Sequence, residues 1–205
     1  MHAQQILARL LCFAVGYVFG SFLTAEVVCH AVAGKSAREI GSGNPGMANV
    51  LQHVGKGAGL IVLAGDLLKT AAACGVGYWA AGPVLGSAAV LYAGFGAILG
   101  HNYPFWARTR GGKGVAVTCG WLILYMPLAG TLCCLAGGAL VLWLGFLPLG
   151  AVVIPLAAIL PAWLLHGPEG AVIMSAAAGI MLIRHRHGLQ RIRKGTEPRF
   201  FRHPS

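Results

Sequence analysis

The amino-acid sequence predicts an all-α protein that is embedded in a membrane. Of its 205 residues 57% are hydrophobic and 10% are charged, which leaves too few charges to cover a soluble globule. Several apolar runs reach the roughly 20 helical residues that cross a hydrocarbon core. The cations behind the formal net charge of +10 cluster at the edges of these runs, as in cytoplasmic loops. We therefore expect a single polytopic membrane domain over residues 1–205, with a lipid bilayer and no nucleic acid as partner.

The first apolar run, residues 6–29, is long enough to cross a membrane. No small-residue cleavage site ends it and further apolar runs follow, so we interpret it as a retained helix and not as a signal peptide. Gly16 and Gly20 give this helix a face of small residues on which a second helix can pack closely. Glu26 is expected to face protein or lipid headgroups, because a carboxylate is costly in hydrocarbon.

A polar loop, residues 30–56, follows the first helix. Its centre is dense in glycine and in amide and hydroxyl groups, which are typical of a surface turn and would also suit a ligand-binding loop. From the residues alone, the turn is the simpler interpretation. The residues concerned are Arg38, Gly41, Ser42, Gly43, Asn44, Gly46 and Asn49.

The next apolar run, residues 57–80, contains two ionisable side chains. Asp66 and Lys69 are three residues apart and therefore neighbours on one helix face. Ionisable residues inside a membrane are functional candidates, and a self-neutralising structural ion pair is an equal alternative. The Gly82–Pro83 pair is expected to turn the chain, so that residues 84–99 return it to the side it left.

A polar island, residues 100–115, separates two long apolar runs. It combines fixed positive charge with glycines, whose missing side chains let backbone N–H groups approach a ligand. This describes an oxyanion cradle, and the alternative is a basic turn held at the membrane surface. A nucleotide P-loop is excluded, because Ala107 and Gly114 stand where that motif needs Gly and Ser or Thr. The candidate residues are His101, Arg108, Arg110, Gly111, Gly112, Lys113 and Gly114.

Residues 114–183 contain one charged residue, Glu169, whereas the tail that follows is rich in arginine. If both basic flanks lie in the cytoplasm, an even number of spans connects them. Four short spans, with breaks near residues 126–127, 147–149 and 166–168, fit better than two. The total is about seven transmembrane helices, with the N-terminus outside and the C-terminus in the cytoplasm.

In this topology, three distant stretches meet at the cytoplasmic face: the polar loop, the polar island and the tail that begins at Arg184. They are rich in cations and N–H donors and poor in acids, which suits anionic ligands and phosphates in particular. No Ser or Cys stands beside an obvious base, so a covalent acyl-enzyme is not indicated. Three histidines lack carboxylate or cysteine partners at a recognisable metal-binding spacing, so no metal is expected. They are His101, His185 and His187.

Four separated blocks resemble the signature blocks of the bacterial acyl-phosphate:glycerol-3-phosphate acyltransferases, in the same order and nearly end to end. The resemblance implies a seven-helix enzyme of the bacterial cytoplasmic membrane. It would move a fatty acyl group from acyl phosphate to the 1-hydroxyl of glycerol 3-phosphate in phospholipid biosynthesis, without a cofactor. The blocks are Ile40–Leu51, Gly65–Lys69, Gly100–Ala116, and Arg184–Arg191 with Gly195–Pro198.

The resemblance also implies roles for individual residues. It places Ser42 in the first substrate loop, Lys113 in a phosphate-binding block and His185 in the third block, and we assign these three as catalytic. His185 could accept the proton of the acceptor hydroxyl, and the phosphate oxygens of the donor are the alternative base. The expected substrate-binding residues are Arg38, Gly41, Gly43, Asn44, Gly46, Asn49, His101, Arg110, Gly111, Gly112, Gly114, Arg184, Arg186 and Glu197.

Two positions on the acceptor side depart from the family pattern. Gln52 stands where an Arg is usual, and Gly188 stands where an Asn is usual. We therefore expect weaker use of glycerol 3-phosphate, unless His53, Lys56 or His187 replaces the missing phosphate ligand. The alternatives are a relative that acylates another acceptor, a non-catalytic lipid-binding protein and an anion transporter.

Overall fold

The structure is a computed structural model that describes residues 2–107 and 110–200. Most of these residues are helical, and this part of the chain contains no strand, so the all-α prediction is confirmed. The α-helices are α1 (His2–Gly20), α2 (Thr24–Ala33), α3 (Met47–His53), α4 (Lys56–Leu85), α5 (Ser87–Asn102), α6 (Val115–Tyr125), α7 (Pro127–Leu144) and α8 (Leu147–Arg193), and short 3₁₀ helices cover Ala37–Glu39 and Phe105–Ala107.

The surface of the helices is suited to lipid. Many large apolar side chains are exposed, among them Trp79 at 83% and Trp143 at 81%. Such a surface is unfavourable in water and expected in hydrocarbon. Four helical stretches are long and apolar enough to cross a membrane, namely His2–Ala33, Lys56–Leu85, Pro127–Leu144 and Leu147–Arg193.

The longest of these stretches, α8, consists of two helical halves. Gly167 lies between them with φ 75° and ψ −168°, a backbone conformation that is open to glycine and strained for other residues. The predicted break at residues 166–168 is therefore confirmed. The other two predicted breaks coincide with the starts of α7 and α8, where Pro127 and Pro148 occupy the first turns.

The first apolar run is long enough to span a membrane, as predicted, but it consists of two helices and not of one continuous helix. α1 and α2 are separated by residues 21–23. A helix break leaves backbone carbonyl groups without helical partners. Here the Trp106 indole donates to the carbonyl of Ser21 at 2.7 Å, and the Lys69 ammonium donates to the carbonyl of Phe22 at 2.6 Å. Side chains that are distant in sequence therefore stabilise the break.

Two further expectations about the chain course are corrected. The Gly82–Pro83 pair lies inside the last turn of α4, and the chain turns at Gly86 instead. Gly86 has φ 57° and ψ −133°, which only glycine adopts readily. A proline in the last turn removes one helical hydrogen bond without ending the helix there. The polar loop also contains a helix, α3, which the sequence did not predict.

The chain divides into two compact units, residues 1–121 and 122–205. In the first unit α1, α4 and α5 pack against one another, and α2 and α3 pack against α4. In the second unit α7 packs against α8. The end of the described chain returns to the α7–α8 turn, because the Phe200 amide donates to the carbonyl of Gly145 at 2.8 Å and the Arg199 guanidinium lies over the Phe146 ring.

The backbones of α1 and α5 touch through glycines. Gly16 and Gly20 of α1 face backbone carbonyl groups of α5, and Gly96 and Gly100 of α5 face carbonyl groups of α1. A Cβ atom at any of these four positions would overlap the opposite backbone. Small residues allow this close approach, which gains packing and weak Cα–H···O contacts. The predicted small-residue face of the first helix is confirmed.

We expect Gly96→Ala to lower the midpoint of thermal unfolding in detergent micelles. Its Cβ would overlap the carbonyl oxygen of Phe13, so α1 and α5 would have to separate. The matched control is Gly75→Ala in α4, where nothing lies within 4 Å and the higher helix propensity of alanine stabilises by about 1 kcal/mol. Equal unfolding midpoints for the two variants would contradict the close contact.

Candidate functional site

The start of the polar loop is anchored by the buried carboxylate of Glu26. This residue is 7% exposed and accepts hydrogen bonds from the Ser36 hydroxyl at 2.8 Å and the Ala37 amide at 3.2 Å. The Arg38 guanidinium lies 3.1 Å from its second oxygen. A buried carboxylate is stabilised in its charged form by such partners. The expectation that Glu26 faces protein is confirmed.

The tip of the polar loop is shaped by Asn49, which is 3% exposed. Its Oδ1 accepts a hydrogen bond from the Ser42 amide at 2.9 Å, and its Nδ2 donates to the carbonyl of Ile40 at 2.9 Å. Gly41 and Gly43 make the turn with φ values of 53° and 69°. The amide of Asn49 is thus already bonded to the loop, and the Ser42 side chain is presented at the surface.

The glycine-rich loop, residues 110–114, folds onto the end of α5. The amide of Gly111 donates to the carbonyl of Asn102 at 3.2 Å, and that of Gly112 donates to the carbonyl of His101 at 3.0 Å. The last carbonyl groups of a helix lack partners within it, and here the loop supplies them. The expectation that these two glycine amides are bare is therefore wrong. The glycines are needed for packing, since a Cβ at either position would overlap His101.

A cation of the glycine-rich loop lies next to the start of α6. Lys113 is half-buried and comes two residues before Val115, the first residue of that helix. The first N–H groups of a helix have no partners within it, and its dipole favours an anion there. Gly114 connects Lys113 to this helix and has φ 79°. Lys113 and the helix start, and not the amides of the two glycines before them, are the groups suited to a phosphate.

The polar loop and the glycine-rich loop are in direct contact. The Arg38 guanidinium donates two hydrogen bonds to the carbonyl of Arg110, at 3.0 and 2.9 Å, and lies over the Trp106 ring. These three residues and Ala107 line a cavity of about 300 Å³. The expected neighbour Arg108 lies outside the described residues. The loops thus offer one concave, cationic surface.

A buried polar network lies where α4, α5 and the α1–α2 break meet. Lys69 and Asp66 form an ion pair at 2.8 Å, as their spacing predicted, and they are 7% and 2% exposed. Asp66 also accepts a hydrogen bond from Thr24 at 3.2 Å, and the Lys69 Nζ lies 2.9 Å from the Nδ1 of His101. His101 is therefore a buried member of this network, under the glycine-rich loop.

The third predicted block belongs to the second unit. His185 is fully buried in α8, and its Nδ1 lies 3.0 Å from the carbonyl of Met181. A carbonyl only accepts hydrogen bonds, so Nδ1 carries the proton and Nε2 is the basic nitrogen of the neutral ring. Arg184 is half-buried and Arg186 is exposed.

The two positions that depart from the family pattern have different surroundings. Gln52 is exposed, and its neighbour His53 lies against Gly41. Gly188 is buried, and a Cβ there would lie 2.5 Å from the Cγ of Pro148 in the first half of α8. An asparagine therefore has no space at position 188, because this chain has a proline opposite it. Nearby, Glu197 accepts a hydrogen bond from Arg191 at 2.6 Å.

Sequence reasoning missed Asn102, whose only signal was its place beside His101 in the polar island. Asn102 is fully buried against Gly114, and neither polar atom of its side chain has a hydrogen-bond partner. Of the remaining predicted residues, Gly46 is buried just before α3 and Asn44 is half-buried. Among residues 2–107 and 110–200, no three His, Cys, Asp or Glu side chains lie together as a metal site.

The family model described as glycerol-3-phosphate acyltransferase matches residues 10–195. Glycerol-3-phosphate acyltransferase 1 of Lactobacillus johnsonii is 37% identical over 173 residues, which cover 84% of this chain and 82% of that protein. Glycerol-3-phosphate acyltransferase 2 of Moorella thermoacetica is 37% identical over 189 residues, which cover 92% and 95%.

The fold is similar to that of PlsY (YgiH), an integral membrane glycerol 3-phosphate acyltransferase known from crystal structures. The TM-score is 0.82 for its glycerol 3-phosphate form and 0.80 for its lysophosphatidic acid form. In both comparisons 26% of the residues are identical, and the match covers 93% of this chain and 94% of the other.

We expect Gly188→Asn to lower the unfolding midpoint, because the new side chain would overlap Pro148. Overpacking of this kind typically costs about 1–3 kcal/mol. The double variant Gly188→Asn/Pro148→Ala should recover most of the loss, while Pro148→Ala alone serves as the control. Thermal unfolding of the four proteins gives the coupling between the two positions. Additive effects of the two substitutions would contradict the contact.

Proposed function

This chain belongs to the glycerol-3-phosphate acyltransferase family, and we propose that it transfers a fatty acyl group from acyl phosphate to the 1-hydroxyl of glycerol 3-phosphate. The products are phosphate and lysophosphatidic acid, and the latter is a precursor in phospholipid biosynthesis. The observation that carries this proposal is the direct contact between the polar loop, with Ser42 exposed, and the glycine-rich loop, with Lys113. Membership of an enzyme family argues against a transporter.

The proposed reaction asks for charge stabilisation and orientation more than for a protein nucleophile. An acyl phosphate is an activated mixed anhydride. The acceptor oxygen bonds to the acyl carbon, the bond from that carbon to the phosphate oxygen breaks, and phosphate leaves with the electron pair. Preorganised positive charge at the leaving phosphate lowers the barrier of such a step. We assign this role to Lys113 beside the first turn of α6.

The proton of the acceptor hydroxyl needs a base, and we propose His185. The hydrogen bond from Nδ1 to the carbonyl of Met181 leaves Nε2 as the nitrogen that accepts a proton when the ring is neutral. The phosphate oxygens of the donor remain the alternative base. The assignment of His185 to the reaction rests on the family resemblance of its block.

Arg38 and Arg110 are proposed to attract the anionic substrates to the loops. They line the same cavity, and its volume of about 300 Å³ lies at the lower end of small-ligand sites. The guanidinium of Arg38 is already oriented by Glu26 and by the Arg110 carbonyl. Such preorganisation reduces the conformational entropy that binding would otherwise cost.

The acceptor side is proposed to bind glycerol 3-phosphate less tightly than in relatives that have an Arg at the position of Gln52. An Arg grips phosphate through two charge-assisted hydrogen bonds, which a glutamine cannot form. His53 is exposed against the turn at Gly41 and is our candidate for a substitute ligand, with Lys56 and His187 as alternatives.

We propose that the helices cross the bacterial cytoplasmic membrane seven times, with the N-terminus outside and the C-terminus in the cytoplasm. Counting α8 as two halves at Gly167, the crossings are α1, α4, α5, α6, α7 and the two halves of α8. The polar loop, the glycine-rich loop and the tail would then face the cytoplasm, where the positive charge of the loops belongs. The turns at Gly86 and Gly167 would face outward.

The decisive experiment incubates the purified protein with an acyl phosphate and separate acceptors, and identifies the acylated product by mass spectrometry. We expect lysophosphatidic acid with glycerol 3-phosphate, and no product with glycerol. Lys113→Ala should lower kcat at least about 100-fold, since loss of one contact to a developing oxyanion costs about 3–4 kcal/mol. Lys35→Ala, an exposed lysine at the end of α2, is the matched control and should keep wild-type turnover.

Two outcomes would contradict the proposal. Acylation of another acceptor but not of glycerol 3-phosphate would refute the substrate. Wild-type kcat in Lys113→Ala would refute the role of the glycine-rich loop.

The topology is tested with single cysteines in a background from which the six native cysteines have been replaced. We expect Ser87→Cys, at the start of α5, to react with an impermeant maleimide in intact cells. Lys35→Cys and Arg193→Cys should react only after the membrane is opened. All three positions are exposed, so differences in labelling report the side of the membrane. The reverse labelling pattern would overturn the proposed orientation.

A further inference from the structure

We infer that Asp66 and Lys69 are positioning residues of the proposed active site: they fix His101 as a neutral ring whose Nε2 carries the proton and faces the glycine-rich loop. The tautomer follows from the geometry of the buried network alone. Its effect on turnover rests on the proposed function. The two parts can therefore be tested separately.

The Lys69 ammonium lies among three hydrogen-bond acceptors. A protonated lysine has three N–H donors and no acceptor. Three acceptors lie within hydrogen-bonding distance of its Nζ: the Asp66 Oδ1 at 2.8 Å, the carbonyl of Phe22 at 2.6 Å and the His101 Nδ1 at 2.9 Å. All three protons are thereby used, and one of them must point at the imidazole.

Lys69 is protonated, because it balances the buried charge of Asp66. The carboxylate of Asp66 is 2% exposed, so an unpaired charge there would be costly, and a protonated lysine at 2.8 Å balances it. Thr24 donates to the same carboxylate oxygen, as expected for an ionised group. Gly65 allows this approach, since a Cβ at that position would overlap the Thr24 side chain.

The contact with Lys69 determines which ring nitrogen of His101 carries a proton. Its Nδ1 accepts a hydrogen bond from Lys69, so Nδ1 is unprotonated and the ring is neutral. The distance from Nδ1 to the Asp66 Oδ1 is 3.8 Å, too long for a competing hydrogen bond to the carboxylate. In the neutral ring the proton must then sit on Nε2.

The proton on the Nε2 of His101 faces the glycine-rich loop. The Nε2 lies where a Cβ of Gly112 would be, so the ring edge is turned to the glycine-rich loop, one residue before Lys113. The carbonyl of His101 also accepts the Gly112 amide. The backbone carbonyl of His101 is therefore bonded to the loop, and its ring edge packs against Gly112. The ion pair of Asp66 and Lys69 determines whether the ring nitrogen at this edge donates or accepts a hydrogen bond.

This arrangement explains why a charged pair is buried at all. Buried ion pairs add little net stability, and apolar residues of similar volume often replace them without loss. Lys69 differs from an apolar residue because it donates to His101 and so holds the ring in one tautomer. A neutral N–H donor adds a dipole to the loop without a titrating charge, which suits a site that stabilises negative charge.

The test removes the pair without leaving a lone buried charge. We expect Asp66→Leu/Lys69→Met to keep the KM of the acyl phosphate and to lower the unfolding midpoint, because the carbonyl of Phe22 loses its Lys69 donor. Deleting an oxyanion donor costs 100- to 1,000-fold in kcat, and because the donor is misdirected here and not deleted, we expect a loss of about tenfold or more.

The control is His101→Gln, whose amide can present an N–H near the position of Nε2 without help from Lys69. If the pair acts through the ring, its removal should cost less than about twofold in kcat when His101→Gln is also present. Equal losses of kcat in both backgrounds would overturn the inference, because a purely structural pair acts independently of the residue at position 101.

The tautomer itself is read by ¹⁵N NMR of the wild-type protein labelled at histidine. His101→Gln identifies the resonances among those of the eight histidines. We expect an unprotonated Nδ1 and a protonated Nε2 at neutral pH, and loss of this preference in Asp66→Leu/Lys69→Met. A protonated Nδ1 in the wild type would overturn the inference, even if the double variant fails to fold. Absence of acyltransferase activity would instead refute the proposed function and leave the NMR result decisive.

Discussion

The backbone contact of α1 with α5 is the constraint on which the first unit depends. Because glycines let the two helices touch, the end of α1 lies beside the end of α5, and the carbonyl groups freed at residues 21–23 come within reach of Trp106 and Lys69. The same approach brings Tyr17 to the carbonyl of Tyr103 at 2.8 Å. A contact between small residues in the apolar interior thus determines where the polar groups can be bonded.

Both loops of the candidate site are held in place by hydrogen bonds to groups beneath them. Glu26 and Asn49 bond the polar loop, and the carbonyl groups at the end of α5 bond the glycine-rich loop. Ser42 and Lys113 therefore lie on backbone segments that are held in place. Fixed dipoles and charges stabilise a transition state without reorganising during the reaction, which is the main advantage of such a scaffold.

The elements that the sequence predicted correctly are those set by local chemistry. Apolar length defined the helices, the three-residue spacing paired Asp66 with Lys69, and prolines marked the starts of α7 and α8. The break after Gly20 could not be predicted, because it is stabilised by Trp106, 85 residues beyond Ser21. The hydrogen bonds of the Gly111 and Gly112 amides could not be predicted either, because their acceptors lie at the end of α5. At position 188 the family pattern has Asn and this chain has Gly. The contact with Pro148 explains the glycine, and this contact is visible only in the fold.

Residues 199–200 of the tail have a structural role, because they contact the turn between α7 and α8. The Phe200 amide donates to the carbonyl of Gly145, the residue that caps the end of α7, and Glu197 accepts a hydrogen bond from Arg191 on the same tail. Deletions that remove residue 200 would leave the Gly145 carbonyl without this donor, and deletions that reach residue 197 would also leave Arg191 without its carboxylate partner. Purification tags and fluorescent fusions are therefore better joined after this segment than in place of it, with a linker that leaves the return of the chain intact.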